Sequence, residues 1–119
     1  MRALVVMLLL ASSAFAEDRP LYFTRPLKAE DVAGRSLREL TLMRNWIYAR
    51  RGNEFRRAWL RDFFTQQKWY QPNQAAFLSE GWKNLSDDQP ADWARDDKNA
   101  EVIAEYESSL TTEQLNAMR

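Results

Sequence analysis

An all-α domain of three main helices is what this sequence predicts, on three observations. Ser36-Leu37-Arg38-Glu39 is a helix-opening capping box, Gly52 is a helix stop, and apolar residues recur at three- and four-residue spacing throughout. No alternating apolar run is longer than Leu21-Tyr22-Phe23, so nothing argues for a sheet. The expected organisation is a leader at 1–16, an extended lead-in at 17–35, a helical domain at 36–110 and a short C-terminal helix or tail at 111–119.

Residues 1–16, MRALVVMLLLASSAFA, read as a cleaved secretory leader. Arg2 is the positive end, Leu4 to Leu10 the apolar run, and Ala14-Phe15-Ala16 the small-residue cleavage site. The run is too short to cross a bilayer, which takes about 20 residues, and no Cys follows it to carry a lipid. The mature chain should begin at Glu17 and work in the periplasm or outside the cell, without a membrane span.

Pro20 and Pro26 keep the lead-in extended, so its aromatic run can lay side chains on the domain. The first long helix runs from Ser36 to Gly52. Leu37, Leu40, Met43, Ile47 and Tyr48 form one stripe, and Leu42, Trp46 and Ala49 widen it past half the circumference. A helix that apolar belongs in the middle of a bundle.

The second helix is expected over Arg56 to Gln66. It buries Phe55, Trp59, Leu60, Phe63 and Phe64 and leaves Arg57 and Arg61 to solvent. Trp69-Tyr70-Gln71-Pro72 ends it, because Pro cannot continue a helix and pushes its predecessor extended. Gln74 to Leu85 is an irregular or short helical connection. The third long helix runs from about Pro90 to about Leu110, with Trp93, Ala100, Ile103, Tyr106 and Leu110 inward. Thr111 or Thr112 caps a last short helix over Glu113 to Met118.

The 119 residues include no Cys and no His. That removes disulfides, thiol nucleophiles, the commonest general base and the commonest metal ligand. A pI near 6.3 argues against nucleic acid. The zero net charge conceals a split: Gly34 to Lys68 holds nine basic and three acidic residues, Glu80 to Glu107 the reverse. Asp97, Glu101 and Glu105 recur every four positions, a spacing at which like charges repel on a helix. Two explanations are open. The arginine-rich hairpin lies against the acidic helix, or it offers a basic face to an anionic ligand.

Leu42-Met43-Arg44-Asn45-Trp46-Ile47-Tyr48-Ala49-Arg50-Arg51-Gly52, followed by Phe55, Leu60, Phe64 and Trp69-Tyr70-Gln71-Pro72, resembles the YARHG domain, a small module of presumed extracellular bacterial proteins. The likeness runs from about Leu37 to Pro72 and extends to Lys98-Asn99 and Ile103. Two positions depart from the pattern: Arg51 replaces the family's His, and Trp46 stands where an acidic residue is usual. The resemblance implies cell-envelope or cell-wall association and no established activity.

Arg44, Tyr48 and Arg51, at i, i+4 and i+7, share a helix face on which two guanidiniums flank a phenol. With Trp69 and Tyr70 they are the candidate ligand-binding residues. Ser36, Glu39, Asn45, Arg50, Gly52, Phe55, Pro72 and Asn99 are candidate structural residues, Asn45 and Asn99 by tying loop backbone. The same letters also fit a reading with no ligand, in which Arg44 pairs with a carboxylate of the third helix and the aromatics are core.

Catalysis has little to work with. Asp87-Asp88, Asp96-Asp97 and the Asp97/Glu101 pair sit on a stretch expected to be exposed, where nothing shifts a pKa. No metal site, cofactor or catalytic residue is assigned. The expected function is therefore a non-catalytic envelope module that binds cell-wall polymer, peptidoglycan or an anionic glycan. The alternative is a protein-interaction module, an inhibitor or subunit that presents Trp82 or Trp93 to an envelope protein. A small carboxylate-dependent hydrolase is a distant third.

Overall fold

The structure is a computed structural model that describes residues 19–84 and 93–118. The leader at 1–16 and Pro90 lie outside the described residues. Six α-helices and no strand are found among the residues described: α1 (Ala29–Val32), α2 (Leu37–Arg50), α3 (Ala58–Thr65), α4 (Gln74–Leu78), α5 (Trp93–Ser109) and α6 (Thr112–Ala117). A 3₁₀ turn, Gly81–Asn84, follows α4. The fold is all-α, and α2, α3 and α5 are its three main helices.

Ser36 opens α2 with the reciprocal box. Its Oγ accepts from the Glu39 amide and the Glu39 carboxylate accepts from the Ser36 amide, each at 3.1 Å. At the other end Gly52 takes φ +92°, where a side chain is strained. Its carbonyl accepts from the Asn73 amide at 2.8 Å, which docks the turn after Pro72 against the helix end. The two backbones are so close that a Cβ on Gly52 would sit 3.1 Å from the Asn73 carbonyl oxygen.

α2 is the central helix, with apolar clusters on two sides. Leu40 and Met43 pack with Phe23, Val32 and Ile103. Leu42 and Ala49 pack with Phe55, Leu60 and Phe64. Trp46 joins the second cluster, its ring 5.7 Å from Phe63, 5.8 Å from Phe64 and 5.6 Å from Trp69. Putting an aromatic at position 46 thus supplies core.

Three boundaries differ from expectation. The lead-in is not wholly extended, since Ala29–Val32 is a turn of helix whose Asp31 accepts from the Lys28 amide. α3 starts at Ala58 because Arg57 is extended (φ −69°, ψ 122°) and makes no side-chain cap. α6 starts at Thr112, capped by Thr111 in a box with Gln114.

Buried polar groups bind the lead-in to the bundle. Asn99 accepts from the Leu27 amide at 2.8 Å and donates to the Arg25 carbonyl at 3.0 Å. Arg95 donates to the Thr24 carbonyl at 2.8 Å. Arg35 is 1% exposed, donating from Nε to the Asp31 carbonyl and from Nη2 to the Pro20 carbonyl. Burial lowers its pKa, and the donated bonds satisfy most of its fork.

Candidate binding surface

The two arginines of the face expected on α2 pair with α5. Arg44 Nη1 lies 3.0 Å from Glu107 Oε1. Arg51 is only 7% exposed, its guanidinium 4.1 Å from the Trp82 ring centroid and 5.2 Å from that of Trp93. From there Nη2 donates to Asp97 Oδ1 at 2.8 Å and to the Trp93 carbonyl at 3.3 Å. Tyr48 meets Phe77 of α4 edge to face at 6.3 Å. Tyr70 packs on the second apolar cluster, its hydroxyl donating to the Asn53 carbonyl at 2.7 Å and its pKa raised by burial, and the exposed Trp69 lays one side of its ring against Phe64.

Arg44, Tyr48 and Arg51 therefore go to separate neighbours, while Trp69 and Tyr70 meet each other at 6.2 Å and share Phe64. Spacing named Arg44, Tyr48 and Arg51 as one helix face, but it carried no information on what packs there. Trp82 and Trp93 are likewise not an open patch for a partner. Trp82 is 5% exposed and its ring meets Trp93 at 5.0 Å.

Asp96 corrects a further expectation. It is 1% exposed, not part of a solvated acidic face. The Tyr22 hydroxyl donates to it at 3.0 Å, and Arg50 and Arg95 each lie 3.5 Å away. Burial pushes the Asp96 carboxyl up and the Arg50 guanidinium down, so desolvation outweighs the attraction of the pair. Asp31 shows the opposite balance. Bonded to Arg25 at 2.7 and 2.8 Å, it is held down at about 2. Asn45 donates to the Thr41 carbonyl within its own helix, so it ties no loop.

The nine cations between Gly34 and Lys68 thus sort into two groups. Arg35, Arg44, Arg50 and Arg51 pair with Glu39, Glu107, Asp96 and Asp97. Arg38, Arg56, Arg57, Arg61 and Lys68 are exposed, and none has a carboxylate partner among the described residues. Two of these touch one ring: the guanidinium carbon of Arg38 is 4.3 Å from the Trp59 centroid and that of Arg57 is 5.4 Å away.

Sequence reasoning placed Trp59 in a buried stripe and missed this group. The signal was present in Arg56-Arg57-Ala58-Trp59-Leu60-Arg61, where cations interleave with an aromatic and no acid intervenes before Asp62. A cavity of about 10 Å³ under the lead-in, bounded by Met43, Ile47, Asn99 and Ile103, has room for one water at most. No set of three carboxylates among the described residues is placed to hold a metal ion.

The family model of the YARHG domain matches residues 16–108, from the last residue of the expected leader almost to the end of α5. No curated protein and no solved structure matches the chain.

Proposed function

The chain belongs to the YARHG domain family, a presumed extracellular module, and from that premise we propose that it is a non-catalytic binding module of the bacterial cell envelope whose ligand is an anionic wall polymer. One observation carries the reading: five of the nine cations in the basic half stay exposed without a carboxylate partner among the described residues, although an acidic helix packs against α2 and pairs with Arg44, Arg50 and Arg51. Had the basic half existed only to match α5, its cations would be spent on that contact. Unpaired arginines on a surface attract polyanions and repel one another.

A periplasmic or secreted location fits. The family match begins where the A-x-A site ends, and no helix among the described residues is long and apolar enough to cross a membrane. A non-catalytic role fits the carboxylates, since the two that are buried among the described residues, Asp31 and Asp96, are committed to guanidiniums.

The test is co-sedimentation of the chain from Glu17 to Arg119 with purified peptidoglycan sacculi, at low and high salt. Retention that fades with salt is expected. Absence of retention at low salt overturns the proposal. A protein-binding role has one observation in its favour, the exposure of Leu78 at 72% and Trp69 at 38%. Capture of an envelope protein that Leu78→Glu abolishes would select it.

A further inference from the structure

We propose that Arg38 and Arg57, held on the Trp59 ring, form the contact point for a carboxylated polysaccharide, with one guanidinium taking each of two successive acid groups. This rests on the binding reading above and names its site and ligand class.

The geometry has three parts. First, two elements converge on one ring. Arg38 comes from the first turn of α2, Arg57 is the residue before α3, and Trp59 lies in the first turn of α3. Trp59 is itself half-buried against the second apolar cluster, so the platform is anchored. Second, a guanidinium that stacks on an aromatic face keeps its in-plane N–H fork available for a two-oxygen acid. Neither fork donates to any group among the described residues, and neither cation has a carboxylate partner there. Third, stacking leaves the charge intact, so two like charges are held near each other with Arg61 one turn further along α3. An anion that bridges them removes that repulsion.

The composition of the patch narrows the ligand to an oxyanion-bearing one. Arg38, Arg56, Arg57 and Arg61 are all arginine, the side chain whose planar fork matches a carboxylate or a phosphate bidentately, and the phosphate polymer in the titration separates the two. A lipid surface would call for apolar side chains beside the cations. Among the described residues the exposed large apolar ones, Trp69 and Leu78, fall in later segments of the chain. Trp59 acts here as a positioning residue: it fixes where the two forks stand.

The experiment titrates the Glu17–Arg119 chain with polygalacturonate, with its fully methyl-esterified neutral form, and with a poly(glycerol phosphate). Calorimetry reads the affinity, and a thermal melt accompanies each variant. Salt-sensitive binding of the acid polymer alone is expected. Arg38→Gln/Arg57→Gln should weaken it by about tenfold or more while melting like the parent. Trp59→Leu should weaken it though both charges remain, and Trp59→Phe should restore most of it. Lys68→Gln should bind as the parent does.

An Arg38→Gln/Arg57→Gln variant that binds at parental affinity overturns this site, while retention of the parent on sacculi leaves the broader function standing. Equal binding of the ester, or preference for the phosphate polymer, overturns the ligand class. A parent that binds neither polymer nor sacculi overturns both. Binding that appears only with an acidic protein reassigns the patch to a protein partner.

Discussion

Gly52→Ala tests the joint on which the end of α2 is built. The left-handed backbone at φ +92° costs an L-residue about 1–2 kcal/mol. A second cost comes from crowding, because the new Cβ would stand 3.1 Å from the Asn73 carbonyl oxygen, a backbone atom that cannot rotate aside. Relief requires the turn after Pro72 to retreat, which weakens the 2.8 Å bond from the Asn73 amide to the Gly52 carbonyl by about 1 kcal/mol. The sum is about 2–3 kcal/mol, or a fall in Tm of about 10–20 °C for a domain this size. Gly34→Ala separates the two costs. Gly34 is also left-handed, at φ +78°, but nothing lies within 4 Å of its Cβ position. It should lose only the conformational part, about 1–2 kcal/mol. The assay is thermal unfolding of parent and both variants by circular dichroism at neutral pH. A Gly52→Ala melt within about 2 °C of Gly34→Ala refutes the crowding against Asn73, and a melt at the parental Tm refutes the strained stop altogether.

Asn99→Ala should cost about 2–3 kcal/mol, because it strands the buried Leu27 amide and Arg25 carbonyl; faster hydrogen exchange at Leu27 checks that the lead-in is what comes loose. Arg44→Ala, which breaks a part-exposed pair with Glu107, should cost less than about 1 kcal/mol. Arg51→Ala empties a buried site between two tryptophans and should cost about 2–4 kcal/mol, so equal unfolding midpoints for the two variants contradict the burial described here. Asp31 has its folded pKa depressed to about 2 from 3.8, so it contributes stability that is full above about pH 4 and lost as pH falls towards 2. Allowing for the half-exposed Arg25, the parent should exceed Asp31→Asn by about 1–2 kcal/mol at pH 7. The two should converge near pH 2, and a constant gap in melts across that range counts against the assignment. Asp96, raised by burial, works in the opposite sense and contributes less as pH rises through its folded pKa.

What the sequence made legible was local. Ser36 with Glu39, Gly52, and Thr111 mark helix ends through bonds made within a few residues; α2 begins and ends where those residues say, and α6 starts one residue before the expected Glu113. The central place of α2 was also readable, because an apolar stripe on more than half a helix has to be covered on two sides. What stayed hidden depends on distant partners. Nothing local marks Arg35 as fully buried, since its acceptors are main-chain carbonyls at Asp31 and Pro20, and arginine is ordinarily exposed. Asp96 looks like its exposed neighbour Asp97 until Tyr22, 74 residues earlier, is brought to it. The arginine face failed for the same reason: helical spacing says which residues share a face, and only tertiary packing says whether that face meets water or α5.

The letters that give the domain its recognisable stretch each have a packing task. Tyr48 meets Phe77, and Ala49 is 1% exposed in the second cluster. Arg50 stands over the Tyr22 ring and pairs with Asp96, while Arg51 fills the space between Trp82 and Trp93. Gly52 lets the Asn73 backbone close on the helix end. Position 51 is instructive, because the family's residue there is His. The site it occupies is bounded by two indole rings and an Asp97 carboxylate, an arrangement that accepts any planar cation or ring able to stack and donate. Arg therefore meets the same steric demand with a planar guanidinium. If the signature is a lock that fastens α2 to α4 and α5, its presence says that the fold is built and leaves ligand choice to residues outside it. The arginines on Trp59, which have no carboxylate partner among the described residues, are where such a choice is free to be made.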